Sequence, residues 1–206
     1  MIHEKETQNR ILDSAIKLFA VKGYSMVSMR DIAKDIGIKA SSIYNYYESK
    51  DSLLNDVLFR FEKGYKNYFE MLEQMNKNAD SLDALMNNMF NSEFLEMLDP
   101  IGCLGMSFVM KEQFNSEYAK TIVFNLFHEF SVNSLKSGFD ALVQKGIIPP
   151  SDTETIARFF MHSVIIMNDI RVHEYTGNAT SVDCAEVYQN LKSFIASALT
   201  QGVSGK

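Results

Sequence analysis

Residues 41–50 read Ser-Ser-Ile-Tyr-Asn-Tyr-Tyr-Glu-Ser-Lys, three phenols within four positions, with hydroxyls before them and an ammonium after. Three phenols cannot all point inward from a single helix, so some of these rings are displayed to something outside the fold. Phenols and hydroxyls donate to phosphate oxygens, a carboxamide pairs with adenine, and a lysine neutralises a phosphate. On a helix turning about 100° per residue with Ile43 inward, Tyr47 falls on the same side and belongs to a core. Ser41 and Asn45 fall nearly opposite Ile43, with Ser42 beside them and Tyr44 and Tyr46 on the flanks. A small polar face bordered by phenols suits a DNA major groove. Lys50, in the first turn of the next helix, adds charge beside unpaired backbone N–H groups that also attract an anion. Taken alone, the tyrosines also fit a merely adhesive surface.

Other residues of catalytic or ligating type are poorly spaced for chemistry. His128-Glu129 begins like a zinc-protease motif, but its fifth position is Val132. His162, Asp169 and His173 share a helix face at spacings of seven and four, a conceivable metal set weighed against ordinary surface histidines. Cys103 and Cys184 lack metal or redox spacing. Gly102-Cys103-Leu104-Gly105 leaves room for a ligand but lacks the glycine spacing and lysine of a phosphate loop. The expectation is a protein that is not an enzyme, without cofactor or metal.

The elements that must position the tyrosines are helices. Proline occurs only at Pro100, Pro149 and Pro150, and apolar residues between breakers recur at three and four, never at two. The fold class is all-α. A first helix spans about 7–22, with Ile11, Ala15 and Phe19 in one stripe and Gly23 as its stop. Ser28-Met29-Arg30-Asp31 resembles a capping box opening a second helix, which Gly37 ends. A third covers about 40–47, and a fourth starts at the cap Ser49 and runs to about 76. Longer segments follow at roughly 81–98, 102–113, 116–145, 151–175 and 181–200.

Two short helices joined by a tight glycine turn make a helix-turn-helix. The stretch SMRDIAKDIGIKASSIYNYYESKDSLL closely resembles the DNA-binding signature of the tetracycline-repressor (TetR) family. Leu18-Phe19-Ala20 before Lys22-Gly23-Tyr24, then Asp31-Ile32-Ala33, Gly37, Ile43-Tyr44, Tyr46-Tyr47 and Ser49-Lys50, carry the resemblance. It implies a helix-turn-helix DNA-binding domain at 1–50 and a helical effector-binding and dimerisation domain at 51–206. It implies Arg30 near bases, Ala40 and Ser41 at base edges, and Ser42, Tyr44, Tyr46 and Lys50 on phosphates. Two positions depart from the family pattern. Lys39 stands where a Ser or Thr cap is usual, so the cap is weaker or Lys39 reaches DNA. Asn45 replaces the His or other large polar group of many relatives.

The formal net charge of −6 hides a division: residues 1–50 carry +2 and the remainder −8. A general polyanion binder is excluded, and a mildly basic head on an acidic body remains. Residues 156–167 are apolar nearly all round, wider than one partner needs. In the resemblance the last two long helices pair with their copies, which nominates Phe159, Phe160, Ser163 and Met167 for a homodimer interface. Met and Phe are abundant, 12 and 15. Tyr65, Phe69, Met86, Met89, Phe90, Met106, Met110, Phe124 and Phe127 are candidates to line an adaptable pocket, with Asn125, His128 and Asn168 orienting its occupant; ordinary core is the competing reading of each.

The expected function is a ligand-responsive transcriptional repressor, released from double-stranded operator DNA by a small apolar or amphipathic effector. A helical interaction module and a metal-dependent all-α enzyme are the rivals. The charged start lacks a signal peptide and no run reaches membrane-span length, so a cytoplasmic protein without membrane partners is expected.

Overall fold

The computed structural model describes residues 2–89, 100–175 and 184–201. In chain order it contains α1 (Ile2–Lys22), a 3₁₀ turn (Tyr24–Met26), α2 (Met29–Asp35), α3 (Ala40–Ile43), α4 (Lys50–Lys77), α5 (Leu82–Asn88) and α6 (Pro100–Glu112). Then come α7 (Glu117–Val123), a π-helical stretch (Phe124–Phe130), α8 (Ser131–Gln144), α9 (Thr153–Tyr175) and α10 (Cys184–Gln201). The fold is all-α.

Local chemistry explains the starts and stops of the head. Ser28 caps α2 with a full capping box: its Oγ accepts from Asp31 N, and the Asp31 carboxylate accepts from Ser28 N at 2.8 Å. Those bonds hold the Asp31 carboxyl below the usual carboxylate range. Gly37 takes φ 74°, a left-handed turn that costs a side-chain-bearing residue free energy. The Arg10 guanidinium donates to the Ile36 carbonyl at 2.6 Å, so α1 satisfies an orphan acceptor at the end of α2.

Helix α3 is shorter than its expected 40–47. Lys39 offers no side-chain cap, and Tyr44, Asn45 and Tyr46 are mediocre helix formers. Beyond Ile43 the backbone tightens: Asn45 N bonds Ser42 O at 3.2 Å and Tyr46 N bonds Ile43 O at 3.0 Å.

Helix α4 belongs to both halves. Its first turns, through Leu53 and Val57, close the head core with Ile11, Ala15, Phe19, Ile32, Ile43 and Tyr47. Later Phe61, Tyr65, Phe69 and Leu72 enter the body core, chiefly against α8. That approach is close at Gly138, where an added Cβ would lie 2.6 Å from Leu85 Cδ1 and 2.8 Å from Asn76 Cβ. Helix α1 docks on α6 through Phe19 and Phe108, ring centroids 5.5 Å apart.

The expected rod at 116–145 is one helical course interrupted by the π-helical stretch, at whose end Ser131 Oγ donates to the Phe127 carbonyl at 3.0 Å. Asp152 caps α9, its Oδ1 accepting from Thr155 N at 3.1 Å, while Thr153 Oγ1 donates to Asp140 Oδ1 at 2.5 Å. Burial opposes charge on Asp140, but the bonds from Lys136 and Thr153 prevail and hold its carboxyl below the usual range. The second half of the segment expected at 81–98 lies outside the described residues.

Candidate nucleic-acid interface

The three tyrosines divide as their angular positions demand. Tyr47 is buried; its hydroxyl donates to Asp56 Oδ2 at 3.0 Å and accepts from Gln8 Nε2 at 3.3 Å. Burial, chiefly, pushes this phenol up to about 12, so it stays neutral. Tyr44 is 54% exposed and Tyr46 half-buried. Ser41 and Asn45 are exposed, and Ala40 and Ser42 partly so. Arg30 and Lys39 are exposed and have no hydrogen-bond or ion-pair partner among the described residues. The outward side of α2 and α3 thus presents the free guanidinium of Arg30, the free ammonium of Lys39, two small hydroxyls, a carboxamide and a phenol, all backed by buried Ile43.

Lys50 requires a correction. Its ammonium does not project as a free phosphate contact: Nζ donates to the carbonyls of Tyr24 and Val27, each at 3.0 Å, and lies 4.2 Å from the centre of the Tyr24 ring. The Tyr24 hydroxyl donates to Asp51, and burial together with that bond raises its pKa strongly. Lys50, Tyr24 and Asp51 therefore clamp the loop before α2 onto the start of α4. The sequence reading passed over Tyr24, although Lys22-Gly23-Tyr24 marked the loop.

The residues expected around an effector do not form one chamber. Tyr65, Phe69 and Phe127 pack together, Tyr65 to Phe127 at 5.9 Å, and the Tyr65 hydroxyl donates to Met106 Sδ at 3.8 Å. Met86 and Met89 are buried beside Asn76, which donates to Met89 Sδ at 3.7 Å. Met110 borders a groove between α6 and α9 with Met106, Phe114, Ile165 and Ile166. Asn125 is partly buried. Phe124 is more than half exposed and sits with His128 on the outside, where His128 faces His162 at 5.7 Å. Alpha-helical spacing places Phe124 and Phe127 on neighbouring sides; the wider turns of the π-helical stretch separate them. Phe90 and the side chains of Asn168, Asp169 and His173 lie outside the described residues. No group of three metal-type ligands occurs among the described residues.

On α9, Phe160 is fully buried and Met167 is buried, so neither can meet a second copy as expected. Helix α9 spends two faces on its own chain, against α6 and α8. Among the described residues its outward large apolar side chains are Phe159, 49% exposed, and Ile166, 64% exposed. Phe194 of α10 is 58% exposed, with its ring 5.4 Å from Phe159. Ser163 is partly exposed on the same side, its Oγ bonded to the Phe159 carbonyl at 2.9 Å. Sequence periodicity missed Ile166 because residues 156–167 of α9 are apolar nearly all round.

Residues 11–57, from the core of α1 to the first turns of α4, match the family described as bacterial regulatory proteins, tetR family. The biofilm operon icaADBC negative transcriptional regulator IcaR of Staphylococcus aureus is 39% identical over 88 residues, 42% of this chain and 46% of IcaR. Over residues 11–57 the chain is similar to the tetR family. Solved structures agree over nearly its whole length: the ketosteroid transcriptional regulator KstR2 of Mycobacterium tuberculosis superposes with a TM-score of 0.68 at 15% identity, covering 94% of this chain and 95% of that one. A putative transcriptional regulator from Saccharomonospora viridis, solved with choline, gives 0.66 at 18% identity, covering 93% and 96%.

At such low identities these superpositions establish a shared fold and nothing more. The sequence match to IcaR spans about half of IcaR's length. The tetR-family departure at Lys39 has its structural counterpart in the uncapped, shortened α3. Among the described residues no helix is long and apolar enough to cross a membrane.

Proposed function

We propose that this chain is a transcriptional repressor that binds double-stranded operator DNA as a homodimer and is released by a small effector. The observation that carries the reading is the outward face of α2 and α3, where Arg30, Lys39, Ser41, Tyr44 and Asn45 are exposed and Ile43 anchors the helix from behind. The likeness to IcaR, a negative regulator, supports repression. Arg30, Ser41 and Asn45 read base edges, Ala40 lets the backbone approach them, and Ser42, Tyr44 and Tyr46 position the head on phosphates. Lys39 adds a phosphate contact. The DNA-binding domain of residues 1–50 is completed by the first turns of α4, which then leads into the effector and dimerisation domain. Such a protein works where the DNA is, in the cytoplasm.

The dimer forms through Phe159, Ser163, Ile166 and Phe194, whose exposure gives α9 and α10 an unfilled apolar side. Two heads then meet successive major-groove faces one turn apart, about 34–36 Å, or a multiple of it. The effector reading is supported by the solved relative that holds choline and by the mixed apolar and polar body.

A gel shift on duplex upstream of the chain's own gene, with a random-sequence selection beside it, tests the assignment. Binding should fall with salt. Arg30→Ala should relax base preference, whereas Lys39→Ala should weaken all sequences alike and lower the salt slope by about 0.9. Absence of salt-sensitive duplex binding in both assays would refute it.

A further inference from the structure

A cavity of about 240 Å³ opens where α1, α4 and α6 meet. Its walls are Ile16 of α1, Val57, Phe61 and Tyr65 of α4, and Ile101 and Val109 of α6. Three glycines keep it open: Gly64 of α4, and Gly102 and Gly105 of α6. A Cβ on Gly64 would meet nothing within 4 Å, and one on Gly105 would touch Ile16 Cγ2 and Phe61 Cδ2 at 3.6 Å. Backbone packing therefore does not demand glycine at either position; an added side chain would only take up space. The one charged side chain on the rim is Arg60, 42% exposed, with Nη1 2.7 Å from Asp13 Oδ1. Its other N–H groups have no partner among the described residues.

We infer that this junction is an effector site for a small apolar carboxylate, its tail among the glycine-spaced walls and its carboxylate on the unused edge of Arg60. The inference rests on the proposed regulatory function and specifies where and by what chemistry it is controlled. The guanidinium's fork offers paired donors to a planar carboxylate while keeping Asp13 on its other edge. An ammonium is disfavoured by the Arg60 charge itself, which lies 2.7 Å from Asp13 Oδ1 and offsets that carboxylate. The volume lies below the ~300–1,000 Å³ of pockets for drug-sized ligands, so the occupant is small. The position matters because Ile16 belongs to the head and Ile101, Gly102, Gly105 and Val109 to the body, with α4 common to both. An occupant touching all three helices has different contacts in each head orientation, which is what coupling to DNA requires.

Butyrate, hexanoate and octanoate, with hexanol and hexylammonium as matched controls, are titrated by calorimetry into the full chain, and operator affinity is measured with and without each. Hexanoate or a neighbour in length should bind, the alcohol and amine at least tenfold more weakly, and operator affinity should fall by about 5-fold or more. Gly64→Leu fills the cavity with a better helix former, and Arg60→Gln removes the cation; each should cut carboxylate binding at least tenfold. A thermal melt and ligand-free operator binding of Gly64→Leu confirm that the protein remains folded. Equal binding to wild type and both variants, no binding of any carboxylate, or binding that leaves operator affinity unchanged would each overturn the site. Ligand-free wild-type operator binding is measured first: its absence would instead overturn the regulatory function itself.

Discussion

Replacing Lys50 by methionine separates two roles that the sequence cannot distinguish. The apolar stem is kept and the ammonium removed, leaving the Val27 carbonyl without its donor at 3.0 Å, the Tyr24 carbonyl with only the Val27 N–H at 3.3 Å, and the Tyr24 ring without its cation at 4.2 Å. Hydrogen bonds from charged donors contribute about 1.5–3 kcal/mol each, and an exposed cation–π contact about 0.5–1. Lys50 is only partly buried, so water recovers much of this at both carbonyls. A net loss of about 2–3 kcal/mol follows. At about 2–4 °C per kcal/mol for a chain of this size, the melting temperature should fall by about 4–12 °C. Far-UV circular dichroism reads the melt, and a salt titration of operator binding reads the charge. A clamp predicts the thermal loss with an unchanged salt slope for the folded fraction. A phosphate contact predicts a slope smaller by about 0.9 and no thermal loss. A melt within about 1 °C of wild type, accompanied by the smaller slope, would refute the clamp.

Three further outcomes are expected. Gly138→Ala inserts a Cβ within 3.0 Å of Leu85 and Asn76, an overpacking of about 1–3 kcal/mol that alanine's helix preference offsets by about 1, so urea unfolding should show a net loss of about 0–2; increased stability would show that α4 and α8 separate freely. Glu112, buried at the end of α6, has its carboxyl pushed above the usual 4.5 by lost hydration, against a bond from Asn115. The folded state then binds its proton more tightly than the unfolded one, so this residue's contribution to stability falls as pH rises from 4.5 through the folded pKa. Glu112→Gln should flatten that part of the pH–stability curve and be the more stable at neutral pH, and a curve unchanged in shape would contradict this. Phe159→Glu should convert the dimer to monomer in sedimentation while leaving the fold intact, whereas Phe160→Glu, at a fully buried site, should unfold the chain; a dimeric Phe159→Glu would place the interface elsewhere.

The head was legible in the sequence because its signals are local. A Ser28–Asp31 box, a positive-φ glycine at Gly37 and a four-residue interval between Ile43 and Tyr47 are each decided within one or two turns. Lys50 was misread because its partners lie 26 and 23 residues away, in a loop without periodicity. In the body, helix existence followed from apolar spacing, but the side each residue faces did not. Phe124 lost its expected place when the π-helical stretch changed the angular step, and Phe160 and Met167 lost theirs because α9 has apolar neighbours on two sides. The junction cavity was half visible: Gly64 and the Gly102–Gly105 segment stood out, but only the fold brings them to Ile16 and Arg60.

Helix α4 has 28 residues, which at about 1.5 Å each gives a rod about 42 Å long. One end sits under the head and the other is seated against Gly138. Over that length an angular change of only about 5° carries the head end about 3.5 Å, close to the ~3.4 Å rise of one base pair. The proposed operator reading therefore sets an angular tolerance on the body of a few degrees. The missing side chain at Gly138 fixes where the lever is seated, so a displacement too small to disturb any single contact in the body can still move the reading face out of step with the bases.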